Sequence, residues 1–255
     1  MPSVNRVEPY SALSEVYQAA GFAEYSAQLA PRLLNLAFNL EWIGRSLLDL
    51  ACGTGDACLW FAGRSFRVTG VDSSAAMLGV ATSTATDRGF NIDFTQGDMR
   101  NFAPGNHYEM ITCLGGSLNY VPALRDLEQV FRQAHAALMP GKLFIFDVYT
   151  IQGLARRHDS DRVVFDKGDI YIVTREAFNY ESLLLTRQFT ILRCVDNATW
   201  QRAEEVHILR GYPVQAILSL LGKVGFKVLR TLTPDLESAD QLHNVDQLLF
   251  VTTRD

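Results

Sequence analysis

The chain has 255 residues, 48% hydrophobic, 20% charged and 11% aromatic, which excludes a disordered chain, a collagen-like repeat and a disulfide-stapled miniprotein. A net charge of −5 argues against a surface built to neutralise nucleic-acid phosphates. Four scattered cysteines, Cys52, Cys58, Cys113 and Cys194, make no C-x-x-C pair, so no metal site is expected, and free thiols suit the cytoplasm.

The N-terminus carries no apolar signal core, and no apolar run is long enough to span a bilayer. Tyr10 to Phe38 reads as helical, with Tyr17 and Tyr25 about two turns apart on one face, for packing or for ligand contact. Residues 46–51 form a short apolar strand running into Cys52-Gly53-Thr54-Gly55, and residues 56–62 a helix. A second strand, 66–72, leads to Ser73-Ser74 at a helix N-cap position and a helix from Ala75. Strands follow at 91–96 and 109–114. An amphipathic helix spans 123–138, Pro140-Gly141 stops it, and 142–148 is a fifth strand. Alternating strands and helices point to a parallel sheet with crossover helices. After Val148 the texture changes to β-rich runs at 163–165, 170–174 and 183–195, separated by turn signals, which reads as an antiparallel meander. The α/β texture then resumes with a helix over 213–223, a strand at 225–229, a polar loop at 233–243 and a last strand at 247–252. The expected organisation is an N-terminal helical cap over 1–45, an α/β domain over 46–160 and 211–255, and a β insert over 161–210 that forms part of an acceptor pocket or a homodimer contact.

Glycines where a strand turns into a helix let backbone approach a ligand, and Gly53 and Gly55 stand there. Asp72, some 20 residues on at the end of the next strand, is placed either to accept both hydroxyls of a ribose or to cap the following helix. Dinucleotides and S-adenosylmethionine both suit this geometry. The dinucleotide fingerprint needs a small third residue where Cys58 stands, and Asp56 beside a pyrophosphate would repel it. A cationic sulfonium cofactor tolerates or welcomes Asp49 and Asp56.

Leu47-Leu48-Asp49-Leu50-Ala51-Cys52-Gly53-Thr54-Gly55 resembles the first motif of class I S-adenosylmethionine-dependent methyltransferases. Val68 to Leu78 resembles the second, Gln96-Gly97-Asp98-Met99-Arg100 the third, and Leu138 to Leu143 the late helix-turn-strand motif. A narrower resemblance, through Ser117-Leu118-Asn119-Tyr120, Phe146-Asp147-Val148, Glu204-Glu205-Val206-His207 and Arg210-Gly211-Tyr212-Pro213, is to a bacterial branch with a β insert after the fifth strand. Its layout is similar to that of sugar-nucleotide aminosugar N-methyltransferases. The resemblance implies a Rossmann-like, seven-stranded, mostly parallel sheet with an antiparallel last strand, plus a small antiparallel β insert. It implies S-adenosyl-L-methionine as cofactor, leaving S-adenosyl-L-homocysteine. Ala51, Gly53 and Gly55 would cradle the methionine part, with Asp49 close by; Asp72 and Ser73 would hold the ribose. Met77, Asp98 and Met99 would lie at the adenine, and Leu114 beside the sulfonium. Tyr17, in a segment that covers the cofactor in this branch, would contact the site; the branch's usual Tyr-Asp pair reads Tyr17-Gln18 here.

Methyl transfer draws much of its rate from orientation and needs a base only when the acceptor arrives protonated. Asp147, at the end of the fifth strand, His207 and Tyr17 are the candidates for that role; Asp147 can equally cap or pair structurally, and His207 can be structural. Asn119, Tyr120, Tyr149, Arg210 and Tyr212 are candidates for the acceptor pocket. Arg187, Arg193, Arg202 and Arg210 of the insert either meet an anionic acceptor or lie on a solvated strand face. The expected partner is a small molecule, with neither nucleic acid nor membrane. The competing readings are an NAD-dependent oxidoreductase and a non-enzymatic cofactor-binding protein.

Overall fold

The structure, a computed structural model, describes residues 6–102, 107–157, 160–196, 199–239 and 245–255, without side chains at 160 and 161. In chain order, α1 (Glu24–Asn39), β1 (Ser46–Leu50), α2 (Asp56–Ala62), β2 (Arg67–Asp72), α3 (Ala75–Asp87), β3 (Asp93–Gln96) and β4 (Tyr108–Cys113) come first. Then follow α4 (Leu124–Ala137), β5 (Leu138–Tyr149), α5 (Ile151–Ala155), β6 (Ser160–Lys167), β7 (Ile170–Asn179), β8 (Leu184–Cys194) and β9 (Trp200–Arg210). The chain closes with α6 (Val214–Val224), β10 (Phe226–Leu232) and β11 (Gln247–Arg254).

Seven strands form one sheet in the order β10-β11-β5-β4-β1-β2-β3. β11 runs antiparallel to both neighbours; the pairs β1–β2, β2–β3, β1–β4 and β4–β5 are parallel. The strand alternation decides which face each residue covers. Leu48 and Leu50 join Leu127, Val130 and Phe131 of α4 and Ile217 of α6. Leu47 joins Leu29 and Leu33 of α1 and Phe61 of α2 on the other face. Burial on both faces explains why β1 is apolar except at Ser46 and Asp49. The crossovers run outward from β1 to β3, then return to β4 on its other side, so the sheet has its switch point between β1 and β4, where open α/β sheets bind ligands.

A second sheet, β6-β7-β8-β9, is wholly antiparallel. The fold expected from the sequence therefore holds, with three differences. The first is the N-terminus, which is not one helix from Tyr10: it is a strap of turns with a short 3-10 segment at Leu13–Glu15, and the helix begins only at Glu24. Gly21, at φ +77°, breaks any continuation, and the amides of Tyr10, Ala12 and Leu13 are given to the Glu205 carboxylate at 2.7–2.8 Å. Tyr17 and Tyr25 therefore share no helix face. Second, Pro140-Gly141 lies within β5, where the pairing with β4 shifts register between Tyr108 and Met110. Third, β9 is a full strand beyond the three expected runs; its buried carboxylates, Glu204 and Glu205, mask the apolar alternation. Of the expected loop, 240–243 lie outside the described residues.

Candidate active site

A cavity of about 800 Å³ opens at the carboxyl ends of β1 and β2 and runs to the inner face of the second sheet. Its floor is the turn after β1. Ala51 and Gly53 both take left-handed backbone, at φ +56° and +57°, a conformation that costs a non-glycine residue about 1 kcal/mol. A Cβ on Gly53 would meet no atom within 4 Å, so the backbone there is open to a ligand. Gly55 (φ +76°) does not line the cavity; a Cβ there would come within 2.9 Å of the Phe94 ring, so its role is to let α2 start against β3.

Two carboxylates flank this turn. Asp49 is buried, accepting from Thr112 Oγ1 at 2.6 Å and from the Cys58 thiol at 3.5 Å. Burial pushes its pKa up from 3.8 to about 6, against those two hydrogen bonds. Asp72 accepts from the amides of Gly53 and Ser74, each at 2.8 Å, and burial raises its pKa too. Ser74, not Asp72, caps α3, accepting from the Met77 amide at 3.3 Å. Ser73, Met77, Met99 and Leu114 complete this end. Asp98 stands outside the cavity wall in an ion pair with Arg100 at 2.5 Å, and that guanidinium holds its carboxyl below the usual range.

The residues expected to handle the acceptor divide in two. Tyr17, Tyr120 and Tyr149 line the cavity. Asp147, Asn119, His207, Arg210 and Tyr212 do not, and their hydrogen bonds say why. Asp147 accepts from the amides of Gly115 and Gly116 at 2.7 and 2.8 Å and from the Gln247 amide, so it fixes the loop after β4 and is buried off the cavity wall. Its burial raises its pKa to about 6. Asn119 clamps Tyr149, accepting from its amide at 2.8 Å and donating to its carbonyl at 3.0 Å. Tyr212 lies in the core with its hydroxyl on the Val121 carbonyl, and Arg210 reaches the Pro122 carbonyl at 3.1 Å.

Alternation along β8 turns Leu185, Arg187, Phe189 and Ile191 to the side of the cavity, opposite Leu209, His207, Glu205 and Ala203 of β9. Arg187 lines the cavity and pairs with Glu176 of β7; of the four candidate arginines of the insert it alone reaches the site. Arg193 pairs with Glu15 at 2.6 Å and Arg202 with Glu204 at 2.5 Å. His207 has no exposed surface. Its Nδ1 lies 2.8 Å from the Tyr120 hydroxyl and its Nε2 2.9 Å from Glu205 Oε2, while Tyr10 donates to Tyr120 at 2.8 Å. Sequence reasoning missed Tyr10 and Glu205 as parts of the site and did not single out Arg187 from the other three candidate arginines. The available signal was a charge at an apolar position of β8, with Leu185, Phe189 and Ile191 at the same alternation.

The strap closes over the floor: Tyr10, Tyr17 and Phe22 line the cavity, and Gln18 donates to Asp56 Oδ1 at 3.2 Å. Buried carboxylates at the floor, open backbone at Gly53 and an apolar wall at Met77, Met99 and Leu114 fit a ligand with hydroxyls, a cationic end and a flat apolar part.

Residues 47–141 match a family described as a methyltransferase domain. The chain is 26% identical to the YqeM protein of Bacillus subtilis (strain 168) over 217 residues, covering 82% of this chain and 87% of that one. It is 33% identical over 103 residues, 40% of each chain, to the dTDP-4-amino-2,3,4,6-tetradeoxy-D-glucose N,N-dimethyltransferase of Saccharopolyspora spinosa. A solved S-adenosylmethionine-dependent methyltransferase from Clostridium acetobutylicum ATCC 824 superposes with a TM-score of 0.83 at 20% identity, over 96% of this chain and 98% of that one. With the glycine turn and the seven-stranded sheet in place, residues 47–141 carry a methyltransferase domain, and the chain has the fold of solved S-adenosylmethionine-dependent methyltransferases.

Proposed function

We propose that the chain methylates an amine or hydroxyl of a small-molecule acceptor held under the strap, between Tyr120, Tyr149 and the inner face of the second sheet. The observation that carries this reading is the single continuous cavity. One end has the floor described above, and the other is walled by Tyr10, Tyr120, Tyr149, Arg187 and Leu209. S-adenosylmethionine supplies a methyl group on a sulfonium, which an in-line nucleophile displaces to leave a neutral thioether. Asp72 would take the ribose hydroxyls while its two present bonds keep it aimed, and Asp49 would face the cationic end. Met77 and Met99 would enclose the adenine, with Asp98 at its rim. Leu114, set by the grip of Asp147 on Gly115 and Gly116, would bound the reacting end. Orientation by these walls, with water kept out by the strap, supplies the catalysis.

An amine on a nucleotide-linked aminosugar is the acceptor class we favour, because that is the substrate named for the Saccharopolyspora relative; Arg187, the one cation on the cavity wall among the described residues, suits an acceptor carrying phosphate. The test is transfer of label from methyl-labelled S-adenosylmethionine to a panel of nucleotide-linked aminosugars, simple amines and phenols. Label on the aminosugars supports the reading; label on none of the panel by a protein that binds S-adenosylhomocysteine overturns it.

A further inference from the structure

Four side chains from three distant parts of the chain make one unbroken hydrogen-bonded line: Tyr10 on the strap, Tyr120 in the segment after β4, and His207 and Glu205 on β9. The first two line the cavity; the last two are buried behind them without exposed surface. The line has a direction. Glu205 accepts on both oxygens from the strap amides and sits against His207 Nε2, so a carboxylate there favours the ring carrying its proton on Nε2. Nδ1 is then an acceptor, and the Tyr120 hydroxyl donates to it. Tyr120 in turn accepts from Tyr10, which leaves the Tyr10 oxygen with lone pairs for a donor in the cavity. Each group in the line has its role fixed by the one behind it.

We propose that Tyr10 and Tyr120 carry the acceptor's proton out of the cavity to His207, with Glu205 as the group that positions the ring and stabilises its charged form. This deepens the proposed function and rests on it. As the acceptor's bond to the methyl group forms and the sulfur–methyl bond breaks, the N–H or O–H proton of the acceptor passes to Tyr10. The Tyr10 proton passes to Tyr120, and the Tyr120 proton to His207 Nδ1. The sulfur keeps the electron pair, and the imidazolium lies against the Glu205 carboxylate. Neither tyrosine has to become a phenolate. Burial holds Tyr120 at about 12 and Tyr10 well above its usual range, so both pass protons while staying neutral. Other charged or titratable groups around the ring are Arg187, directly opposite on β8, its partner Glu176 on β7, and Tyr17 beside Tyr10 on the strap. The Arg187–Glu176 pair carries no net charge toward the ring. The rings of Tyr10 and Phe189 lie edge-on to the imidazole at 4.8 and 4.9 Å and keep water from it.

The first test needs no acceptor: nitrogen NMR of histidine-labelled full chain loaded with S-adenosylhomocysteine at about pH 8, where an unperturbed histidine is neutral. The line requires a neutral His207 protonated on Nε2, with a Nδ1 signal that moves on Tyr120→Phe, an isosteric change that removes the donor. A ring that is doubly protonated, or protonated on Nδ1, overturns the proposal, because it has no site for the proton. The second test uses any acceptor that takes label. Tyr120→Phe and His207→Gln should each lower kcat by about 10²-fold or more with little change in KM for S-adenosylmethionine, and His207→Asn, which keeps a hydrogen-bond acceptor near Nδ1 but no base, should stay equally low. A normal kcat in Tyr120→Phe overturns the proposal. Wild-type protein that shows no thermal stabilisation by S-adenosylhomocysteine would instead count against the proposed function.

Discussion

The two ends of the cavity are built in different ways. At the floor, Asp49, Ala51, Gly53 and Asp72 come from the ends of two adjacent parallel strands, and one carboxylate, Asp72, ties both turns together through bonds to Gly53 and Ser74. At the acceptor end, the walls come from residues as far apart as Tyr10, Tyr120 and Leu209, held by one buried carboxylate, Glu205, which binds the strap from about 195 residues away. A local device and a long-range one thus meet in a single cavity. The first can be kept while acceptors change, because nothing in the floor depends on the second sheet.

The largest expected effect breaks the long-range device. Glu205→Ala leaves three strap amides and His207 without their buried partner, which should cost about 3–5 kcal/mol. Hydrogen exchange should find the amides of residues 10–13 deprotected, with β1 and β2 still protected; equal loosening of both regions would break the comparison. Next is Asp72→Ala. Losing two hydroxyl contacts at about 1.5–3 kcal/mol each, calorimetry should find S-adenosylhomocysteine bound at least about 10²-fold more weakly, while thermal unfolding stays cooperative. Unchanged affinity would contradict the ribose role. The smallest effect concerns charge at the floor. Asp49 titrates at about 6 in the folded chain against an ordinary 3.8, so the folded state holds the extra proton between those values. Stability from this group falls as pH rises through that window and is flat above it. Asp49→Asn should therefore stabilise the ligand-free protein near pH 8, by about 1–3 kcal/mol, read as a raised unfolding midpoint, and give no gain near pH 4. The same change should weaken binding of a cationic cofactor. In the wild type that binding should strengthen as pH rises through about 6, since the ionised carboxylate is the form that attracts it. A midpoint unchanged at pH 8 would show Asp49 to be solvated.

This contrast also explains what the sequence made legible. The alternation of strands and helices, the left-handed glycine at 53 and the acid at 72 are signals written within one strand-helix-strand unit, and the floor could be assembled from them. The acceptor end carries no local signature. Asp147 looked like an acceptor ligand because it ends a strand at the switch point, yet the two amides of Gly115 and Gly116 claim it. Asn119, Arg210 and Tyr212 stand in a recognisable motif, but their polar atoms are spent on backbone groups of Tyr149, Pro122 and Val121. The strap sequence reads as helix because its apolar residues, Leu13 and Val16, are spaced for one; they pack on Ile172, Phe189 and Ile191 of the second sheet, and tertiary contacts override that spacing.

The most direct measurement is calorimetric titration of the full chain with S-adenosylhomocysteine and, separately, with NAD. The account predicts saturable one-to-one binding of S-adenosylhomocysteine, lost in Asp72→Ala, and no heat with NAD. Saturable binding of NAD with none of S-adenosylhomocysteine would contradict it.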